Sequence, residues 1–360
     1  MLNKSEKYIP INKGHFELDT AERKKSFFNK LAEGWNDEYM EYRRLWTELP
    51  KNQIVRDYPL LVDLELASIC NLKCPMCYTI TEEFKKTVTK GFMDFNLIKR
   101  IIDEIAGKVY ALRISLRGEP TLHPNYIEII KYAKSKNIKE VSSLTNGSKI
   151  KGKYLRDVVD AGIDWLTISI DGMSDNYDKI RKPLTFKNIL KQLKELKDYK
   201  KEIGSSKPVV KVQGVWPAIR PYPSDYYNTL QPLTDLIAYN PLIDYLSVDK
   251  DIVYEENFSC PQLYQRLVIC SDGIAVMCAN DEEGVSNVGD ANKQTIHEIW
   301  HGDAIQKVRN IHKRNDGFKE INVCKKCYYP RKAIPDEKAV VNGREIYIEN
   351  YINRAQEVGK

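Results

Sequence analysis

Between Pro59 and Glu256 the chain alternates short β-rich runs with amphipathic helical patterns, and this alternation restricts the fold more than any other feature. The runs are LLVDLELAS (61–69), VYALRISL (109–116), IKEVSSLT (138–145), DWLTISI (164–170), PVVKVQGV (208–215) and LIDYLSV (242–248). Helical periodicity occupies 94–106, 124–136, 150–162, 185–203 and 224–239. Strands separated by helices run parallel, because a helix carries the chain back across the sheet before the next strand begins. Six such strands predict an α/β fold: a parallel sheet or a partial (β/α)6 barrel of TIM type. In such folds ligands lie at the C-terminal ends of the strands.

The flanks read differently. Residues 1–58 form a polar, helix-prone extension, with Leu31, Trp35, Tyr39, Tyr42, Leu45 and Trp46 as an apolar stripe at helical spacing. That stripe predicts a packed brace against the next domain. Residues 257–335 read as a small second domain: two β-runs around Ser271-Asp272-Gly273 form a hairpin, followed by a helical stretch and a cysteine pair. Residues 336–360 read as a mixed, partly helical tail.

Lys and Arg number 56 against 50 Asp and Glu, a net +6 spread along 360 residues. This mild excess permits an anionic ligand without demanding nucleic acid. The first residues lack the apolar core of a secretory signal, and no apolar stretch is long enough to span a membrane. A cytoplasmic protein is expected, with neither membrane nor nucleic acid as partner. Eight cysteines in that compartment favour metal or redox chemistry over disulfides.

Cys70, Cys74 and Cys77 follow the first strand as C-x3-C-x2-C, in CNLKCPMC. Three thiolates on one loop hold three irons of a [4Fe–4S] cubane and leave the fourth open. A zinc loop, or a cluster completed by a fourth cysteine from elsewhere, is the alternative; zinc sites rarely begin with C-x3-C.

CNLKCPMC after a first strand resembles the signature of the radical S-adenosylmethionine (SAM) enzymes. RGEP (Arg117–Pro120) at the end of the second run is similar to that family's glycine-glutamate-proline motif, with Arg117 in place of the first glycine of the usual pair. By this resemblance Glu119 binds the methionine ammonium of SAM. TNG (Thr145–Gly147) ends the third run and includes Asn146; SIDG (Ser169–Gly172) ends the fourth, with Arg181 beyond it. The resemblance implies that Ser169 and Arg181 contact SAM carboxylate or ribose, and that Met76 packs on adenine. Each motif alone has an ordinary reading as a cap, a turn or a surface charge. The implied chemistry is reductive cleavage of SAM to a 5′-deoxyadenosyl radical that abstracts a hydrogen atom, with an external one-electron donor such as flavodoxin or ferredoxin.

Cys260, Cys278, Cys324 and Cys327 supply four thiolates for a second, fully ligated [4Fe–4S] cluster, a count that also suits a zinc ribbon. The segment resembles the SPASM/twitch auxiliary-cluster domain in its one-cluster form. A cluster without an open iron can accept an electron from a substrate radical. The resemblance to one-cluster aminocyclitol dehydrogenases therefore implies an oxidoreductase that dehydrogenates an alcohol on a carbohydrate, aminocyclitol or nucleotide sugar, a carbohydrate-biosynthesis role. Cys270 is left over. It reads as an inert buried thiol or, in the alternative, as the hydrogen donor of a radical epimerase. A peptide-modifying enzyme is the other alternative.

The substrate pocket is expected between the ends of the fifth and sixth strands and the second domain, with Gln213, Trp216, Arg220, Tyr222, Asp249 and Lys250 as candidates. Arg220 or Lys250 would take an alcohol proton or pair with a phosphate. His15, His123, His297, His301 and His312 show no ligand spacing left unfilled by the cysteines. A non-catalytic iron–sulfur carrier and a zinc-binding interaction module are the rival classes.

Overall fold

The computed structural model describes residues 7–11, 13, 16–241 and 251–353. Its strands in one sheet are β1 (Phe16–Glu17), β2 (Leu61–Leu64), β3 (Ala111–Arg113), β4 (Glu140–Thr145), β5 (Trp165–Ser169), β6 (Val209–Val215), β7 (Leu236–Asn240), β8 (Arg266–Ile269), β9 (Ile274–Val276) and β10 (Asn287–Asp290). They lie in the order β1-β7-β6-β5-β4-β3-β2-β8-β9-β10. From β2 to β7 each strand runs parallel to the next.

The crossovers are amphipathic helices whose apolar faces cover the sheet. The helix Phe95–Ile105 buries Leu97, Ile98, Ile101, Ile102 and Ile105, a 3.6-residue stripe. Asp94 caps it by accepting the Asn96 and Leu97 amides, both at 2.9 Å. Strand β2 is buried throughout, which is why its sequence does not alternate. Its one charge, Asp63, meets Arg113 at 2.6 Å and Arg266 at 3.2 Å.

Two helices of the N-terminal extension, Ala21–Ala32 and Asn36–Asn52, pack at the N-terminal mouth of the strands. Leu31, Trp35, Tyr39, Tyr42 and Trp46 are buried, and Leu45 is half-buried. Tyr42 stacks on Tyr110 at 5.2 Å, Phe27 meets Trp165 edge-on at 5.3 Å, and Arg266 lies over Trp46 at 5.1 Å. Rings with Cβ atoms three and four residues apart form one continuous stopper.

The hairpin expected around Ser271-Asp272-Gly273 joins β8 to β9, with Gly273 at φ +87°. Strand β8 also pairs parallel to β2, so the C-terminal segment continues the core sheet.

Two expectations are corrected. The pattern at 224–239 is not one helix: Pro223–Leu230 is helical, Gln231–Leu233 is a short 3-10 turn holding Pro232, and β7 follows. LIAYN is too short an apolar run for periodicity to separate strand from helix. The sixth parallel strand is therefore β7, and 242–248 lies outside the described residues. The tail is not partly helical where described. Strands β11 (Ala333–Val341) and β12 (Arg344–Tyr351) pair as a hairpin through Asn342 and Gly343, at φ +49° and +74°. An Asn-Gly pair with both residues left-handed is the two-residue turn that matches strand twist. The hairpin docks on the helix Pro223–Leu230, where Ser224 Oγ donates to the Val340 carbonyl at 2.8 Å.

Candidate functional site

The three-cysteine loop leaves the C-terminal end of β2, and the neighbouring strands send their own loops toward it. Cys74 is buried; Cys70 and Cys77 are half-buried. Burial pushes the Cys70 thiol up and the Cys74 thiol to about 11, and Cys77 raises both. Thiols this close in a desolvated loop become thiolates together only around a cation. Cys70 Sγ already accepts the Leu72 amide at 3.4 Å and Asn146 Nδ2 at 3.8 Å.

Gly118 explains how the β3 loop reaches this loop. It has φ +63°, and a Cβ there would stand 2.4 Å from the Ala67 carbonyl oxygen and 2.6 Å from that of Ile69. Only glycine allows the contact. Next to it the Glu119 amide donates to the Ile69 carbonyl at 2.8 Å. The buried Glu119 carboxylate accepts from Thr121 Oγ1 (2.5 Å), Thr121 N (3.2 Å), Thr145 Oγ1 (2.7 Å) and the Asn146 amide (2.7 Å). Burial nevertheless raises its pKa, since the donors offset only part of the desolvation. Asp171 accepts from Arg181 Nε at 2.7 Å and from the Val215 amide at 2.9 Å. The same guanidinium draws the Cys74 thiol down. Glu119, Asn146 and Arg181 thus surround the cysteine loop. Met76 and Ser169 are half-buried, on the loop and at the end of β5.

A second constellation gathers Cys260, Cys278, Cys324 and Cys327. Burial lifts Cys260 to about 12 and Cys327 to about 11, and pushes Cys278 and Cys324 well above the ordinary thiol range; Cys260 and Cys327 each raise both of the latter. Cys327 Sγ accepts from the Tyr329 amide at 3.4 Å and from Asn280 Nδ2 at 3.5 Å. Cys324 Sγ lies 3.4 Å from His312 Nε2. Two buried thiols, Cys278 and Cys324, and two half-buried ones, Cys260 and Cys327, form the donor set of an iron–sulfur cluster.

The sulfur spacing bears on zinc. A tetrahedral zinc holds sulfurs about 3.8 Å apart. Among the described residues, the set of three His, Cys, Asp or Glu ligand atoms within 4.8 Å of one another is Asp57, His297 and His301; no three cysteines come so close. The donor chemistry of both constellations, thiolate throughout, fits [4Fe–4S] clusters. The histidine trio corrects the expectation of no ligand spacing: His297 and His301 lie one turn apart, with Nε2 atoms 2.9 Å from Asp57 Oδ1 and from the Asp57 carbonyl oxygen respectively.

Other expected residues scatter. Arg220 and Tyr222 line an open cavity of about 950 Å3 with Asn176, Lys179 and Asp225, and Arg220 stands 3.7 Å from Glu337. Trp216 does not face a pocket; it is fully buried against Tyr239 at 5.2 Å, because a proline-bearing turn of helix folds it under β6. Gln213 is half-buried on β6. Asp249, Lys250 and His15 lie outside the described residues. Cys270 is buried with Val268 and Val276, beside Glu65 and Arg117. Sequence reasoning missed Glu65: a lone acid in a β-run carries no signal until its partner is known.

These features define a protein with one cysteine loop at the C-terminal end of β2 in a parallel α/β sheet and a second cysteine set in the segments that flank β8 and β9. Residues 64–210 match the radical SAM superfamily, and residues 260–328 match SPASM, an iron–sulfur cluster-binding domain. The chain carries a radical SAM domain followed by a SPASM iron–sulfur domain, and SAM and [4Fe–4S] clusters are its cofactors.

A curated relative, the tungsten-containing aldehyde ferredoxin oxidoreductase cofactor-modifying protein of Pyrococcus furiosus, is 25% identical over 69% of this chain and 71% of its own length. The chain spans only 23% and 35% of the next two curated relatives. Among solved structures, BtrN in complex with AdoMet and 2-DOIA shares the fold at TM-score 0.52 and 18% identity, over 75% of this chain and 92% of BtrN. Native anSMEcpe with bound AdoMet and Cp18Cys peptide matches at TM-score 0.52 and 15% identity, over 76% of this chain and 91% of that one. No described helix is long and apolar enough to cross a membrane.

Proposed function

We propose that this chain is a radical SAM oxidoreductase that removes a hydrogen atom, then a proton and an electron, from a secondary alcohol of a carbohydrate, aminocyclitol or nucleotide sugar, leaving a ketone. The observation that carries this reading is the pair of unequal cysteine sets. Three thiols leave one iron free for SAM; four thiols leave none free and suit a cluster that only takes up an electron. Loaded, the first centre supplies a 5′-deoxyadenosyl radical from SAM and the second an electron sink. Cys70, Cys74 and Cys77 hold the first cluster; Cys260, Cys278, Cys324 and Cys327 hold the second. Glu119 presents its carboxylate to the SAM ammonium, with Thr121 and Thr145 fixing its orientation. Asn146, Ser169, Arg181 and Met76 complete the SAM pocket. Arg220 in the cavity lining offers the five-donor fork of a guanidinium, which has no acceptor and suits holding an anionic substituent. Burial of Cys270 in an apolar cluster favours dehydrogenation over an epimerase that uses this thiol. A peptide substrate is the second reading, favoured by the open, charged mouth of the cavity. An external one-electron donor of flavodoxin or ferredoxin type completes the cycle.

The test is anaerobic reconstitution, metal and sulfide analysis, and incubation with deuterated candidate sugars. Deuterium in 5′-deoxyadenosine together with a ketone product supports the proposal. Cys74→Ala should abolish SAM cleavage, whereas Cys324→Ala should keep some cleavage and lose the ketone. Zinc without sulfide, or ketone formation equal in both variants and the parent, overturns it.

A further inference from the structure

His312 is fully buried on the helix Asp303–Lys313 and joins two segments of the second cysteine constellation. Its Nδ1 accepts the Cys260 amide at 3.3 Å, and its Nε2 stands 3.4 Å from Cys324 Sγ. An Nδ1 that accepts a backbone N–H carries no proton, so the ring proton sits on Nε2 and points at the sulfur. Phe258 lies near the ring, centroids 6.0 Å apart.

The donor geometry differs between sulfurs: Cys327 Sγ accepts from the Tyr329 amide at 3.4 Å and from Asn280 Nδ2 at 3.5 Å, whereas the His312 ring stands beside Cys324 Sγ. A hydrogen bond to a ligating sulfur stabilises the more negative, reduced cluster and raises its potential. We propose that His312 is a positioning residue that sets the auxiliary cluster's reduction potential, by donating its Nε2–H to Cys324 Sγ while the Cys260 amide locks its tautomer. This rests on reading Cys260, Cys278, Cys324 and Cys327 as the ligands of one cluster. Its consequence is functional: a higher potential makes the cluster a better acceptor for the electron left on an oxidised substrate.

The full chain is reconstituted with Cys70, Cys74 and Cys77 replaced by alanine, so that only the auxiliary cluster is present, and titrated by electron paramagnetic resonance. His312→Leu should shift the reduction equilibrium about tenfold toward the oxidised form, about 59 mV downward for one electron. It should keep the parent's iron and sulfide content, and His312→Gln, which keeps a donor, should recover part of the shift. An unchanged potential in His312→Leu overturns the proposal. If His312→Leu loses its cluster, the parent decides. With 15N-histidine, pulsed resonance of the reduced cluster should show one weakly coupled nitrogen that His312→Gln removes. No histidine nitrogen, or the strong coupling of a directly bound one, overturns it. A Cys324→Ala chain that keeps the parent's iron, sulfide and spectrum refutes the four-cysteine reading instead, a result separable from those on His312.

Discussion

Arg117 and Glu65 form a buried two-point ion pair, with Nε and Nη2 at 2.6 and 2.7 Å from the two carboxylate oxygens. The pair joins the two halves of the site. Arg117 Nη1 also donates to the Glu282 carbonyl at 3.2 Å, and Glu65 accepts the Ser271 amide at 2.9 Å. Arg117 occupies the position where the radical SAM motif usually has glycine. Here that substitution ties the end of β3 to the segment that carries the second cysteine set.

Arg117→Ala strands a buried carboxylate without its cation. A loss of about 3–5 kcal/mol is expected, because removing one partner of a buried pair leaves the other desolvated and uncompensated. Replacing both, as in Arg117→Met with Glu65→Leu, should recover most of it. Denaturant unfolding of the single and double variants measures the difference, and a single variant as stable as the parent would contradict the role.

Gly118→Ala should disrupt the first cluster more than the fold. The added Cβ meets backbone oxygens of Ala67 and Ile69, which cannot swing aside as a side chain would. Iron analysis should show loss of the cluster held by Cys70, Cys74 and Cys77, with the second retained. Full iron content in the variant would count against this close approach.

Glu119→Gln keeps the size and most of the hydrogen bonds of the carboxylate but removes its charge. SAM affinity measured by equilibrium binding to the reconstituted chain is expected to fall at least about tenfold, or 1.4 kcal/mol. Thermal stability should change little or rise, since burial already disfavours the charged form. Unchanged SAM affinity would remove Glu119 from the proposed pocket.

Glu140, on β4 beneath Tyr39 and Tyr42, has its carboxyl raised to about 7, first by burial and then by Asp164. The folded value lies above the ordinary 4.5, so folding favours the protonated form. Its contribution is most favourable below about pH 4.5 and is lost as pH rises through 7. Glu140→Gln should therefore stabilise the protein at pH 8, by up to about 3 kcal/mol, and make little difference at pH 4.5. Melting curves across this range test the sign; a variant less stable at pH 8 refutes it.

The strand–helix alternation was legible because parallel strands buried on both faces read as apolar runs, and their helices as 3.6-residue stripes. The C-x3-C-x2-C loop and the Cys324–Cys327 pair stand out because their spacing is local along the chain, whereas Cys260 and Cys278, 64 and 46 residues before Cys324, join that pair only through thiolate count and resemblance. The reading failed where short range is ambiguous. LIAYN looked like the end of a helix, and the Asn342-Gly343 turn was passed over in a tail of low hydrophobic contrast. It failed also for His312, which lies 12 and 52 residues from the two cysteines it touches.

The sequence by itself determined the sheet class, the cofactors and the order of the motifs, since each depends on residues within one strand, helix or loop. Tertiary structure alone decided that β8 pairs beside β2, that Arg117 reaches Glu65, and that a buried imidazole faces Cys324. Such contacts join residues distant along the chain. Packing and desolvation select them only once the sheet has formed, and no local pattern encodes them.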